Sequence, residues 1–263
     1  MVTIGADNRV GLLLRDWRQR RRLSQMELAL ESGVSTRHLS FVETGRARPS
    51  PEMVLHLADR LEVPLRERND LLLAAGYAPQ FASRPFDDPD LGPVRDAVGH
   101  VLAGHEPYPA IAVDRHWNLV ASNSALDPLL QDIAPELLVP PVNVMRVALH
   151  PDGLARRILN LGEWRGHLLE RLAREIRLTG DEQLVALREE LVAYPGPEAP
   201  ETPDGAAIMV QLHMSSPEGE LRMFSTVSTF GTAVDVTVSE LSVEAFFPAD
   251  EATAELLRAG HVG

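Results

Sequence analysis

Residues 23–49, LSQMELALESGVSTRHLSFVETGRARP, carry the pattern that decides the N-terminal fold. Ser24 is followed three residues later by Glu27, the spacing of a capping box: each side chain satisfies a backbone N–H that the start of a helix leaves without a partner. Leu28 and Ala29 then face inward, and Ala29 is small enough for a second helix to cross closely. Gly33 falls where the chain must reverse, and glycine takes a positive φ at no steric cost. Val34 plugs the corner, Ser35 is a fresh N-cap, and a second helix begins at Thr36. Leu39 and Val42 form its buried side, and Gly45 is placed to end it at C′.

This pattern leaves Thr36, Arg37, Ser40 and Phe41 pointing outward from the first turns of the second helix. The major groove of DNA admits one α-helix whose first turns reach the base edges. Arg37 can fork onto guanine O6 and N7, Thr36 and Ser40 can bond to bases or phosphates, and Phe41 can lie against a thymine methyl. Gln25 and Ser35 start their helices, where free N–H groups favour a phosphate. Arg46 and Arg48 follow in a loop suited to backbone contact, which positions without reading sequence. The expected DNA interface is Gln25, Ser35, Thr36, Arg37, His38, Ser40, Phe41, Arg46 and Arg48. A small helical bundle with ordinary caps and an exposed arginine is the structural alternative.

The flanks supply context. Val10, Leu13, Leu14 and Trp17 repeat at helical spacing and predict a first helix, ending in Arg18, Arg20, Arg21 and Arg22, which are either phosphate contacts or a solvated face. Ser50-Pro51-Glu52 is a helix start with a cap, a proline at N1 and an acid in the first turn. Val54, Leu57, Ala58 and Leu61 carry that helix. Pro64 opens another, with Leu65, Leu71, Leu72 and Ala75 inward and Gly76 at its end. Five helices in the first 78 residues predict a compact all-α domain. Over residues 9–77 it resembles the Cro/C1 (XRE) repressor family, on the strength of Ser24-Gln25, Leu28-Ala29, Gly33-Val34-Ser35, Leu39, Val42-Glu43 and Gly45. The resemblance implies binding to double-stranded DNA as a two-fold homodimer on paired half-sites.

Composition bounds the rest. At 263 residues the chain is too long for the helical domain alone, and 44% apolar with 24% charged residues is a globular composition. The absence of cysteine excludes disulfides, thiolate zinc sites, a catalytic thiol and a flavin–cysteine photoadduct, and fits a reducing cytoplasm. No apolar run approaches the roughly 18 residues of a membrane span, and MVTIGADNRV has no basic start leading into an apolar core, so neither membrane insertion nor a signal peptide is expected. The net charge of −13 is unevenly shared: residues 1–78 hold 12 Arg against 10 acids, whereas the remainder holds 13 Arg against 28 acids. The basic balance sits with the helix-turn-helix, and the acidic remainder is ill-suited to wrapping nucleic acid.

Residues 79–90 carry prolines and no period, and read as a linker. Leu91, Val94, Val98, Val101 and Leu102 mark an amphipathic helix. Ala110–Val113 and Leu119–Ala121 predict a hairpin around residues 114–118. Residues 124–193 read as helix-rich, the clearest helix having Trp164, Leu168, Leu172 and Ile176 every fourth residue. Residues 194–205 form a Pro-rich loop. Three strands are expected at Ala207–Met214, Leu221–Thr229 and Val234–Phe246, the first pair joined by a turn at 216–219 and the second at Gly231-Thr232. Two strands, helices, then three strands is the order of an α+β, PAS-like domain over residues 91–250: a five-stranded antiparallel sheet with helices over one face and room for a small molecule between. Residues 251–263 read as a C-terminal tail. PYPAIAVDRHWNLVASN (107–123), LLVPPVNVMRVALHPDGLARRILNLGEWRGHLLERL (137–172) and LRMFSTVSTFGTAVDVTVSELSVEAFFPAD (221–250) resemble the MmyB-like regulators, over nearly the whole chain and in the same domain order. That resemblance implies a transcription factor with a small, fatty-acid-like effector.

Asn143, Arg146 and His150 are spaced three and four apart, which on a helix puts them on one face; Arg156, Arg157, Asn160 and Arg165 follow. Arginine forks onto carboxylates, and Asn or His adds directional bonds. The expected ligand site is Asn143, Arg146, His150, Arg157, Asn160 and Trp164, with an anionic head near Arg146 and an apolar tail along the sheet. Helix capping and pairing with Asp152, Glu163 or Glu170 is the competing role for these groups. The nine histidines show no His-Glu-x-x-His pattern, so no metal site is expected and no cofactor is required; His100 and His105, five apart, straddle a helix end, and a lone axial histidine for haem is an open alternative because PAS-like folds can host cofactors. No nucleophile elbow, phosphate loop or acid pair with a matching base points to an enzyme. The expectation is a ligand-responsive DNA-binding regulator in the cytoplasm. A constitutive DNA binder with a structural second domain and a protein-interaction module are the rivals.

Overall fold

The computed structural model describes residues 8–198, 209–231 and 233–261. Its chain divides into two compact units: one runs to Arg84 and takes in the segment 232–239, and the other comprises 85–231 and the residues from 240 onward. The break at 84/85 falls inside the expected linker, whose first part is held to the helical unit: Asn69 accepts from the N–H groups of Gln80 and Phe81 and donates to the Phe81 carbonyl.

The helical unit contains the five expected helices: α1 (Arg9–Arg20), α2 (Gln25–Ser32), α3 (Thr36–Glu43), α4 (Pro51–Arg60) and α5 (Leu65–Ala74). The capping box of Ser24 and Glu27 is formed, and Ser35 and Ser50 cap α3 and α4. Gly33 and Gly45 take φ of +66° and +72°, the left-handed conformation that reverses the chain after α2 and after α3. Leu14, Leu28, Leu39, Leu57 and Leu61 are wholly buried where the helices meet. Each such leucine stabilises the unit by about 1.5–3 kcal/mol relative to an exposed one.

In the second unit, β1 (Ala110–Val113), β2 (Leu119–Ser122), β3 (Leu212–Ser216), β4 (Gly219–Thr229) and β5 (Ser242–Pro248) form an antiparallel sheet in the order β2-β1-β5-β4-β3. This is the expected PAS-like sheet. The β1–β2 hairpin is closed by Asp114, whose carboxylate accepts from the N–H groups of His116 and Asn118. Strand alternation sends Val243 to one face, where α6 (Gly92–Ala103) covers it with Val98 and Leu102. Ile111, Met214 and Met223 face the other side, against α7 (Val144–Leu149), α8 (Leu161–Thr179) and α9 (Glu182–Ala193). The fourfold spacing of Trp164, Leu168 and Leu172 is the buried stripe of α8.

Three expectations need correction or bounding. The run Val234–Phe246 is not one strand: β5 begins at Ser242, and Val236–Ser239 form a helical turn, α10. Asp235 accepts from the Thr237 N–H and pairs with Arg84 at 2.8 Å, while the Val236 N–H donates to the Ala82 carbonyl, so this segment belongs to the helical unit. Residues 207–208 of the expected third strand, 199–205 of the Pro-rich loop and Thr232 of the expected turn lie outside the described residues; β3 itself runs on to Ser216. The stretch separated as a tail holds α11 (Glu251–His261), whose Thr253 hydroxyl accepts from the Arg222 N–H of β4.

Candidate functional site

The helix-turn-helix presents α3 as expected. Leu39, Val42 and Glu43 are buried, while Ser35, Thr36 and Arg37 are exposed and His38, Ser40 and Phe41 are half-buried. The Arg37 guanidinium lies 5.3 Å from the centre of the Phe41 ring, one helical turn on, so both share the outward face. Arg46 is exposed in the loop after α3. Arg48 is exposed as well, but it donates to the Ala75 carbonyl at 2.9 Å and lies over the Tyr77 ring. Gln25 is tied inward: its amide donates to Glu43 at 2.8 Å.

Glu43, which the sequence marks only as part of the family resemblance, is the organising group. Its side chain is 1% exposed, and Arg18 grips it through Nε at 2.7 Å and Nη2 at 2.9 Å. The fork joins the end of α1 to the end of α3 and leaves Gln25 fixed at the start of α2. The Glu43 hydrogen bond raises the already high Arg18 pKa further. Arg18 is therefore a core residue, neither of the two roles expected for the basic end of α1. Arg20 pairs with Asp16, and Arg21 donates to the Leu61 and Glu62 carbonyls.

In the second unit, an apolar cavity of about 100 Å³ lies between the sheet and the helices over it. Its walls include Ile111, Met214 and Met223 from the sheet, Met145 from α7, and Trp164 and Leu168 from α8. Glu244, on the central strand β5, is the ionisable side chain on this wall among the described residues. It is 5% exposed, accepts from the Ser225 hydroxyl at 2.6 Å and pairs with Arg171 at 3.1 Å. Arg171 lies 4.2 Å from the centre of the Trp117 ring, and the Trp117 indole donates to Glu175 at 2.8 Å. Burial pushes the Glu175 carboxyl above the usual range, opposed by the Trp117 hydrogen bond and the Arg171 charge. Burial together with the Arg171 charge holds His167 below the ordinary imidazole value.

Of the six expected ligand residues, Trp164 lines this cavity. Asn143, Arg146 and His150 do not share a helix face, because α7 is only six residues long; Asn143 is its N-cap and His150 its C-cap. Asn143 is buried, accepting from the Arg146 N–H and donating to the His116 carbonyl. Arg146 forks onto Glu190 of α9, at 2.8 Å through Nε and Nη2. Tyr194 also donates to Glu190, and burial plus that bond push its hydroxyl up to about 12. The His150 ring packs edge-on against Tyr194. Asn160 bridges Glu163 and the Gln211 carbonyl. Arg157 lines a separate, more polar hollow beside Ser124, Gln131 and Ser216. It donates to the Leu129 and Ser215 carbonyls, and its Nη2 is buried without a hydrogen-bond partner. The expected head-group residues are thus capping and bracing groups, apart from Arg157.

A family model described as the MmyB-like transcription regulator ligand binding domain matches residues 94–259, and a helix-turn-helix domain model matches residues 9–71. The chain belongs to the MmyB-like transcription regulators. As a member, it combines a DNA-binding helix-turn-helix with a ligand-binding domain, the architecture of a transcription regulator. Among solved structures, the clp gene regulator ClgR from C. glutamicum is 30% identical over 27% of this chain and 88% of its own, with a TM-score of 0.24. An RNA-binding light-oxygen-voltage receptor is 12% identical over 97% of this chain and 63% of its own, with a TM-score of 0.26. No curated protein matches. In this MmyB-like chain no group of three His, Asp or Glu side chains that could hold a metal ion, and no helix long and apolar enough to cross a membrane, occurs among the described residues.

Proposed function

We propose that this regulator binds operator DNA as a homodimer in the cytoplasm, inserting α3 into the major groove, and that a small amphipathic effector with an acyl-like apolar body fills the cavity of its second unit. The observation that carries the reading is the division of α3 into a buried side, Leu39 and Val42, and an exposed first turn, Thr36 and Arg37. Arg37, with Thr36, Ser40 and Phe41 beside it, reads bases; Ser35, Gln25 and Arg46 position the helix on phosphates, and His38 and Arg48 flank them. Two copies place their recognition helices about 34–36 Å apart on successive major grooves.

The cavity supports a compact ligand body. An engineered apolar hole of about 150 Å³ holds benzene, so the roughly 100 Å³ here suits a short chain or small ring, and a longer acyl chain requires the walls to part. The test is selection of bound fragments from genomic DNA by the full-length protein, followed by a salt titration on the winning fragment. A steep fall in affinity with salt, from counterion release, is the expected result. Failure to retain any duplex, or binding indifferent to salt, would overturn it. For an effector to regulate, it must favour one arrangement of the dimer over another, which shows as a ligand-dependent change in operator affinity.

A further inference from the structure

The wall of the cavity bears on the chemistry of its ligand. Among the described residues its lining side chains are apolar, the indole N–H groups of Trp117 and Trp164 aside, except at Glu244 on the central strand. A carboxylate in that place is costly unless its lone pairs are used. Ser225 occupies one lone pair of Oε1 and Arg171 one of Oε2. An ionised carboxylate offers about four acceptor positions, so Glu244 retains capacity for further donors. Arg171 is not part of the cavity wall; its guanidinium is committed to Glu244 and stacked over Trp117.

From this geometry we infer that the cavity takes a compact apolar molecule ending in a hydrogen-bond donor, a hydroxyl or an amine, which is received by Glu244, and that it disfavours a carboxylate head. The inference rests on the cavity being the effector site. A carboxylate brought against Glu244 sets two like charges side by side, which is costly in an apolar surround. A hydroxyl or ammonium instead makes a charge-assisted hydrogen bond in a dry surround. The head-group preference of this site is therefore opposite in sign to that of a site built around free arginines.

The experiment is a head-group series on the unmodified full-length protein at pH 8, by calorimetric titration and thermal shift. It uses butyl, hexyl and octyl chains, each as alcohol, amine and carboxylate. The alcohol and amine should bind roughly tenfold or more tighter than the carboxylate of equal chain length, the scale of one hydrogen bond to a charged group. In Glu244→Gln the amine should lose its advantage and the carboxylate should gain. The ranking on the unmodified protein decides the matter even if that variant folds poorly. A carboxylate that binds as tightly as the alcohol, or tighter, overturns the donor-head inference while leaving the cavity as the effector site. Binding of no chain at any length overturns both the inference and the effector site.

Discussion

Glu43 in the helical unit and Glu244 in the sheet unit are almost equally buried, 3% and 5% exposed, and each is paired with an arginine. Their surroundings differ. Glu43 accepts three hydrogen bonds, two from Arg18 and one from Gln25, in a core of wholly buried leucines. Glu244 accepts one from Ser225 and one from Arg171, and it borders a void. The same unfavourable burial of charge gives fixed geometry where the acceptor positions are filled and spare binding capacity where they are not. In the proposed reading the first unit presents its DNA-facing groups on its outside, and the second keeps its ligand-facing groups inside.

The contrast is most easily broken at Glu43. Glu43→Ala strands Arg18 in the core and should lower the stability of the helical unit by about 3–5 kcal/mol, measured by urea unfolding; a loss below about 1 kcal/mol would mean that the fork does not fix the frame. On the outward side, Arg37→Ala should cut operator affinity by about 1–3 kcal/mol and relax base choice at one position, with unchanged melting. In the sheet unit, Glu175 has a folded-state pKa above its unfolded value. Its favourable contribution is complete below the unfolded pKa and is lost as pH rises through the folded one. Glu175→Gln should therefore gain on the parent as pH rises through the unfolded carboxylate value and level off above the folded one, and a gap that is flat or shrinks over that rise would contradict the assignment. The smallest effect belongs to Arg46→Ala, which should weaken all sequences alike and lower the slope of log affinity against log salt by about one.

The helix-turn-helix was legible because its determinants are local. A cap, a glycine and a helical period lie within 27 residues, and a helix fixes which side chains share a face. What stayed hidden there was the Arg18–Glu43 fork, whose partners are 25 residues apart. The succession of two strands, helices and three strands in the second unit was legible from its apolar runs, but its cavity was not, since the walls come from residues between Pro109 and Phe246. The spacing of Asn143, Arg146 and His150 suggested a head-group site; Glu190, 44 residues beyond Arg146, already occupies the guanidinium. The β-branched run at 234–238 has strand propensity, yet Asp235 and the burial of Val236 and Val238 impose a helical turn. The stretch from 251 follows Asp250, which caps α11 by accepting from the Thr253 N–H; an acid at that place was a readable helix start.

The short segment between β4 and β5 has one more consequence. Val236 is wholly buried and Asp235 holds Arg84, yet both come from more than 150 positions downstream of the helices they complete. The DNA-reading module is thus discontinuous in sequence. A fragment cut at residue 84 omits its last piece, and should melt below the same helices in the intact chain; borrowing the reader for a chimera means carrying that distant splint along.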